Sequence, residues 1–74
     1  MNITVKLFAA FRENRFAERQ FDFPDGSTAG DVLAGLGIAA DEASVMLLNG
    51  RHISIIDTLS DGDTLSMFPA IGGG

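Results

Sequence analysis

Polar and apolar residues alternate strictly at the start of the chain. Ile3, Val5 and Leu7 are interleaved with Asn2, Thr4 and Lys6, the period of a half-buried strand. The pattern runs into Phe8-Ala9-Ala10-Phe11 and then a charged stretch, Arg12-Glu13-Asn14-Arg15. A second strand is expected across residues 17–23, with Ala17, Arg19, Phe21 and Phe23 on one face, antiparallel to the first. Pro24-Asp25-Gly26 closes it with turn chemistry, a fixed φ at Pro24 and a free one at Gly26. Thr28-Ala29-Gly30-Asp31 then has the hydroxyl-to-acid spacing of a helix start. Behind it Ala29, Val32, Leu33 and Leu36 form an apolar stripe that must lie on a sheet. Gly37 is the natural stop.

The second half reads as strands. Residues 39–43 read as a loop, and residues 44–48 are an apolar strand ending at Asn49-Gly50, the strongest short hairpin signal. Residues 51–56 follow as its partner, with His52 on the face opposite Ile53 and Ile55. A turn-rich connection over residues 57–63 leads to the last strand, residues 64–69. There Leu65 and Met67 alternate with Ser66 and Phe68. Phe8 and Phe68 are therefore expected as exposed or half-exposed neighbours on the two central strands, with Leu7 and Met67 facing the helix. Strand, strand, helix and further strands in this order make an α+β domain. Its mixed sheet of four to five strands has one helix packed across it and the first and last strands parallel at the centre. That is the β-grasp order. Residues 1–70 read as the domain and residues 71–74 as a flexible C-terminal glycine tail.

Composition narrows the function. Seventy-four residues make one small domain, and ten acidic against five basic side chains give a net charge of −5. A nucleic-acid surface would need a basic stripe, which this balance argues against. With no cysteine there is no disulfide, thiolate metal site or thiol nucleophile, and a single histidine excludes a His-rich metal site. An unstapled domain of this size is expected in the cytoplasm. No apolar run approaches the ~20 residues of a membrane span, and Met1-Asn2-Ile3-Thr4-Val5-Lys6 lacks the form of a signal peptide.

Three apparent motifs fail on inspection. Gly35-Leu36-Gly37-Ile38-Ala39-Ala40 spells a dinucleotide loop, but its glycines end a helix instead of opening one. Taking Asp57 as the first position of a calcium loop puts Leu59 and Phe68 where oxygen ligands are required. His52 has no nucleophile and acid converging on it, so it reads as a partly exposed strand residue, not a general base. No bound cofactor or metal is expected. What remains is the terminus, Gly72-Gly73-Gly74, directly after an uncharged strand. A terminal carboxylate adenylated by ATP becomes an electrophile for sulfide or a thiol. Glycines suit the threading of that terminus into a narrow channel, because backbone without Cβ can be gripped from both sides. The competing reading is a ubiquitin-like binding module with a passive tail.

These residues resemble a known family. Val5-Lys6-Leu7-Phe8-Ala9-Ala10-Phe11-Arg12-Glu13, Asn49-Gly50 and the long ending Leu59-Ser60-Asp61-Gly62-Asp63-Thr64-Leu65-Ser66-Met67-Phe68-Pro69-Ala70-Ile71-Gly72-Gly73-Gly74 are similar to the MoaD/ThiS-type ubiquitin-like sulfur carriers. The likeness covers essentially the whole chain and is greatest to the small subunit of molybdopterin synthase. The family ending L-x-D-G-D…F-P-P-V-x-G-G is kept with Ala70 for the second proline and Ile71 for the valine. The resemblance implies a β-grasp fold and a non-enzymatic role as a sulfur-carrying cosubstrate. In that role the Gly74 carboxylate, with Gly73 beside it, is adenylated by an E1-like, ATP-using enzyme of the MoeB/ThiF type and converted to a thiocarboxylate. The loaded tail then enters a larger, MoaE-type synthase subunit. By position, the implied partner-binding residues are Phe8, His52, Phe68, Pro69, Ile71 and Gly72. A large apolar residue is usual where His52 stands. Carriers for thiamine thiazole, tungsten cofactor, tRNA thiolation or cysteine synthesis share the same pattern.

Overall fold

The computed structural model describes residues 1–70; the expectations placed on Ile71, Gly72, Gly73 and Gly74 lie outside the described residues. Five strands, β1 (Asn2–Leu7), β2 (Glu18–Asp22), β3 (Ala43–Leu48), β4 (Arg51–His52) and β5 (Thr64–Pro69), form one sheet in the order β2-β1-β5-β3-β4. The helix α1 (Ala29–Leu36) lies across it. β1 and β5 run parallel at the centre, with Val5 opposite Leu65 and Leu7 opposite Met67. All other pairings are antiparallel. This is the β-grasp topology that the strand order predicts.

Alternation decides which side chains enter the core. Ile3, Val5 and Leu7 of β1, Leu65 and Met67 of β5 and Met46 of β3 face the helix, where Ala29, Val32 and Leu33 meet them. Phe11, Ile38 and Leu59 close the margins. The β2 edge is covered less. Phe21 and Phe23 are half-buried, but Ala17 and Arg19 on the same side are exposed. The Arg19 guanidinium instead lies 5.0 Å from the centre of the Phe16 ring.

The helix start satisfies its orphan donors in full. The Thr28 hydroxyl accepts from the Asp31 N–H at 3.3 Å while the Asp31 carboxylate accepts from the Thr28 N–H at 2.9 Å. The Ala29 and Gly30 N–H groups donate to the Asp57 and Ile55 carbonyls at 3.0 and 2.9 Å. Gly37 ends the helix with φ 72°.

That second pair of bonds explains a correction. The expected strand over residues 51–56 stops at His52, and residues 54–57 turn back to cap the helix. The Ser54 N–H donates to the Asp57 carboxylate, and Ile55 and Ile56 are left exposed. Residues 9–12, unassigned by pattern, form a short 3-10 turn entered through Ala9 at φ 52°. Among the described residues, no helix is long and apolar enough to cross a membrane.

Candidate functional site: a stacked aromatic pair on the open face of the sheet

The face of the sheet turned away from the helix carries the site. Period two places Phe8, just beyond β1, and Phe68 of β5 side by side on it, while Leu7 and Met67 are fully buried beneath. The two rings stack with centroids 4.3 Å apart and planes 11° apart. Such stacking is worth about 0.5–1.5 kcal/mol beyond area burial. Both rings are nevertheless half-exposed. They are held by backbone: the Phe8 N–H donates to the Met67 carbonyl at 3.2 Å, prolonging the parallel ladder past the end of β1.

Arg12 completes the arrangement. The 3-10 turn swings it back so that its Nε donates to the Leu7 carbonyl at 2.6 Å and its guanidinium lies 5.3 Å from the Phe8 centroid. A cation over an exposed ring is worth about 0.5–1 kcal/mol. Sequence reasoning passed over Arg12; its position four residues after Phe8, one turn on, was the available signal.

On the other side of Phe68 the apolar surface continues. Val45 lies opposite Phe68, Leu47 opposite Ser66, and His52 opposite Leu47. Next to a register shift between Ala43 and Val45 lies a groove of about 370 Å³, lined by Ser44, Val45, Leu47, His52, Phe68 and Pro69. The structure thus brings together four expected site residues, Phe8, His52, Phe68 and Pro69. Val45 and Leu47 are additions, hidden in the sequence because an apolar strand run does not say which face it shows. Ala70 is bounded on its far side by a hollow that also holds Glu13, Arg15 and Glu42.

No acid lines the groove between His52 and Phe68, while Asp57 shares the hollow on the other side of His52, and no cluster of His, Cys, Asp or Glu among the described residues can hold a metal. The acids of the failed calcium motif serve turns instead. Asp61 accepts from the Asn2 N–H at 2.6 Å, and Asp63 accepts from the Ser60 N–H and the Asn49 amide at 2.8 and 2.9 Å. The site offers a stacked aromatic pair and an apolar groove just before the chain's last residues.

Comparison with known proteins agrees with that geometry. The ThiS family matches residues 5–74, nearly the whole chain. The chain belongs to the ThiS family. Small archaeal modifier protein 1 from Haloferax volcanii has a crystal structure that superposes with TM-score 0.79 at 25% identity, covering 100% of both chains. A putative molybdopterin converting factor, subunit 1, from Pyrococcus furiosus gives 0.79 at 26%, covering 96% of this chain and 99% of that one. A complex of subunits 1 and 2 of the molybdopterin-converting factor from Helicobacter pylori gives 0.63 at 20%, covering 100% of both chains, a likeness of fold alone. No curated protein matches the chain. The ThiS-family chain is a ubiquitin-like protein of the sulfur-carrier type, and small carriers of this type are generally non-catalytic.

Proposed function

We propose that this chain carries sulfur on Gly74 as the small subunit of a molybdopterin synthase, acting in the cytoplasm. The observation that carries the reading is the stacked, half-exposed Phe8–Phe68 pair at the root of the terminal glycines, in a family match that runs through Gly74. An E1-like enzyme of the MoeB/ThiF type docks on that face and uses ATP to convert the Gly74 carboxylate to an acyl adenylate, releasing pyrophosphate. Hydrosulfide then attacks the carbonyl carbon and AMP leaves, which yields the thiocarboxylate and a proton. The loaded chain next docks on a larger, MoaE-type subunit and gives its sulfur to a pterin precursor. The chain itself holds no cofactor in this cycle. The molybdopterin branch is supported by the Pyrococcus furiosus neighbour, a putative converting-factor subunit at 26% identity, and by the Phe8-Ala9…Arg12-Glu13 segment.

Intact mass spectrometry tests the chemistry. Incubation with an activating enzyme of this type, ATP and a sulfur source is expected to add about 16 Da, the exchange of one oxygen for sulfur. Transfer to a pterin precursor in the presence of a MoaE-type subunit tests the pathway. An unchanged mass with no ATP consumed, by an enzyme active on its own carrier, would leave the passive binding module as the better reading.

A further inference from the structure

The turn joining β3 to β4 carries chemistry that sulfur carriage does not use. Asparagine occurs at positions 2, 14 and 49, and only Asn49 is followed by glycine. A glycine nitrogen is the backbone nucleophile least hindered by its own residue, because it carries no Cβ. Asn49 and Gly50 both lie on the surface, so water reaches the pair freely. Both are left-handed, with φ 51° and 85°, as a two-residue hairpin turn of type I′ requires.

The Asn49 side chain is nonetheless held at both ends. Its amide nitrogen donates to the Asp63 carboxylate at 2.9 Å, and its carbonyl oxygen accepts from the Thr64 N–H at 2.9 Å. The Asn49 N–H donates to the Thr64 carbonyl at 2.9 Å, so backbone and side chain are pinned at the same place, the start of β5. The partners fix which way the amide points, since an ionised carboxylate only accepts and a backbone N–H only donates. Asp63 is positioned in turn by the Ser60 N–H, which donates to its other oxygen at 2.8 Å. With both ends tied, the amide plane cannot turn to present Cγ to the Gly50 nitrogen. Exposure does not protect this pair; the hydrogen bonds do.

We propose that Asn49 is a site of spontaneous deamidation that the folded chain suppresses through Asp63 and Thr64, so that its conversion marks chains whose β3–β4 turn has opened. Once the two bonds are released, the Gly50 nitrogen attacks Asn49 Cγ. The Cγ–Nδ2 bond breaks, and that nitrogen leaves as ammonia with the proton from Gly50. Water then opens the cyclic imide at either carbonyl, which yields a carboxylate, a proton and a normal or isomerised aspartyl linkage. Nothing is oxidised or reduced. The product has no amide donor for Asp63 and sets a second carboxylate against it, so the original contact cannot re-form. β4 hangs from this turn, with Leu48 opposite Arg51, so the change loosens the sheet edge that carries His52.

Incubation of the full chain in mildly alkaline buffer, with and without guanidinium chloride, tests this by intact mass and peptide mapping. In denaturant the chain is expected to gain about 1 Da at Asn49, the exchange of an amide NH2 for a hydroxyl. In the folded chain the gain should be at least about tenfold slower, the ratio reporting how rarely the turn opens. Asp63→Ala, verified as folded by circular dichroism, should convert several times faster than the folded parent. Asn49→Asp reproduces the product and should lower the denaturation midpoint. Combining it with Asp63→Asn exchanges carboxylate and amide across the same contact and should recover the midpoint. Equal rates in the folded and denatured parent, no gain at Asn49 in denaturant, or an Asn49→Asp variant as stable as the parent would overturn the proposal. So would a folded Asp63→Ala variant that converts no faster than the parent, or a double variant no more stable than Asn49→Asp. The comparison of folded with denatured parent needs no variant, and no readout involves Gly74, so this inference and sulfur carriage fail independently.

Discussion

Phe68 holds two roles that pull in opposite directions, since burying it would stabilise the fold while leaving it half-exposed keeps it available. The structure resolves the conflict by stacking it on Phe8 at 4.3 Å and placing Val45 opposite. Phe68→Ala is expected to weaken binding of the activating enzyme by more than about 1 kcal/mol, as for an aromatic interface anchor. Its cost to folding should stay below the ~3 kcal/mol or more of truncating a fully buried ring, because Phe68 is half-exposed. Calorimetric titration against that enzyme, paired with urea unfolding, separates the two; a variant that binds as tightly as the parent would discard the docking face. This pair was legible in the sequence because alternation through Val5-Lys6-Leu7-Phe8 and Leu65-Ser66-Met67-Phe68 fixes faces without any knowledge of partners. Arg12 was less legible. Its place over Phe8 depends on Ala9 adopting φ 52°, a conformation that alanine rarely takes and no propensity announces.

At the scale of elements, the helix and its cap explain where sequence reasoning fell short. Arg51 to Ile56 has the alternation of a strand, and Ile53 does pair onward, its N–H donating to the Met46 carbonyl at 3.2 Å. The chain then leaves the sheet because the carbonyls of Ile55 and Asp57 are needed by the first N–H groups of α1. A demand made by residues 29–30 on residues 55–57 is non-local, so no window of sequence reveals it. Gly30 carries the trace of it. A Cβ there would sit 3.0 Å from the Ile55 carbonyl oxygen, whereas one at Gly35 would make ordinary contact, 3.8 Å from the Phe23 ring. Two identical substitutions in one helix should therefore diverge. Gly35→Ala is expected to stabilise by about 0.5–1 kcal/mol through lower unfolded-state entropy and better helix propensity. Gly30→Ala gains the same propensity term but must displace the capping turn, endangering a hydrogen bond worth about 0.5–1.5 kcal/mol. It should fall at least ~1 kcal/mol below Gly35→Ala in urea unfolding. Equal effects would mean that the turn over residues 54–57 yields freely.

For the whole molecule, stability and chemistry are assigned to different lengths of chain. The buried core of the described residues ends at Met67, and the fold was legible because that core is written in alternating strands and one capped stripe. The site was legible only in part, since its reacting atoms, in the proposed cycle, lie on Gly74 while the groove walls are strand residues no different in type from the core. This division makes a sharp expectation. Adding one alanine after Gly74, or deleting Gly74, removes the carboxylate from the place where a channel cut for bare backbone would present it to ATP. Gly73→Val acts by a different route, its branched Cβ opposing close approach and excluding positive φ. All three variants should lose sulfur loading, read as absence of the gain of about 16 Da. None alters a residue of the described core, so their melting temperatures should match the parent. The Phe68→Ala variant provides the contrast, since its loading should recover as the activating enzyme is raised toward saturation, whereas the extended chain should stay unloaded at any enzyme concentration. Loading of the extended, untrimmed chain at the parent's rate would refute carriage of sulfur on the terminal carboxylate.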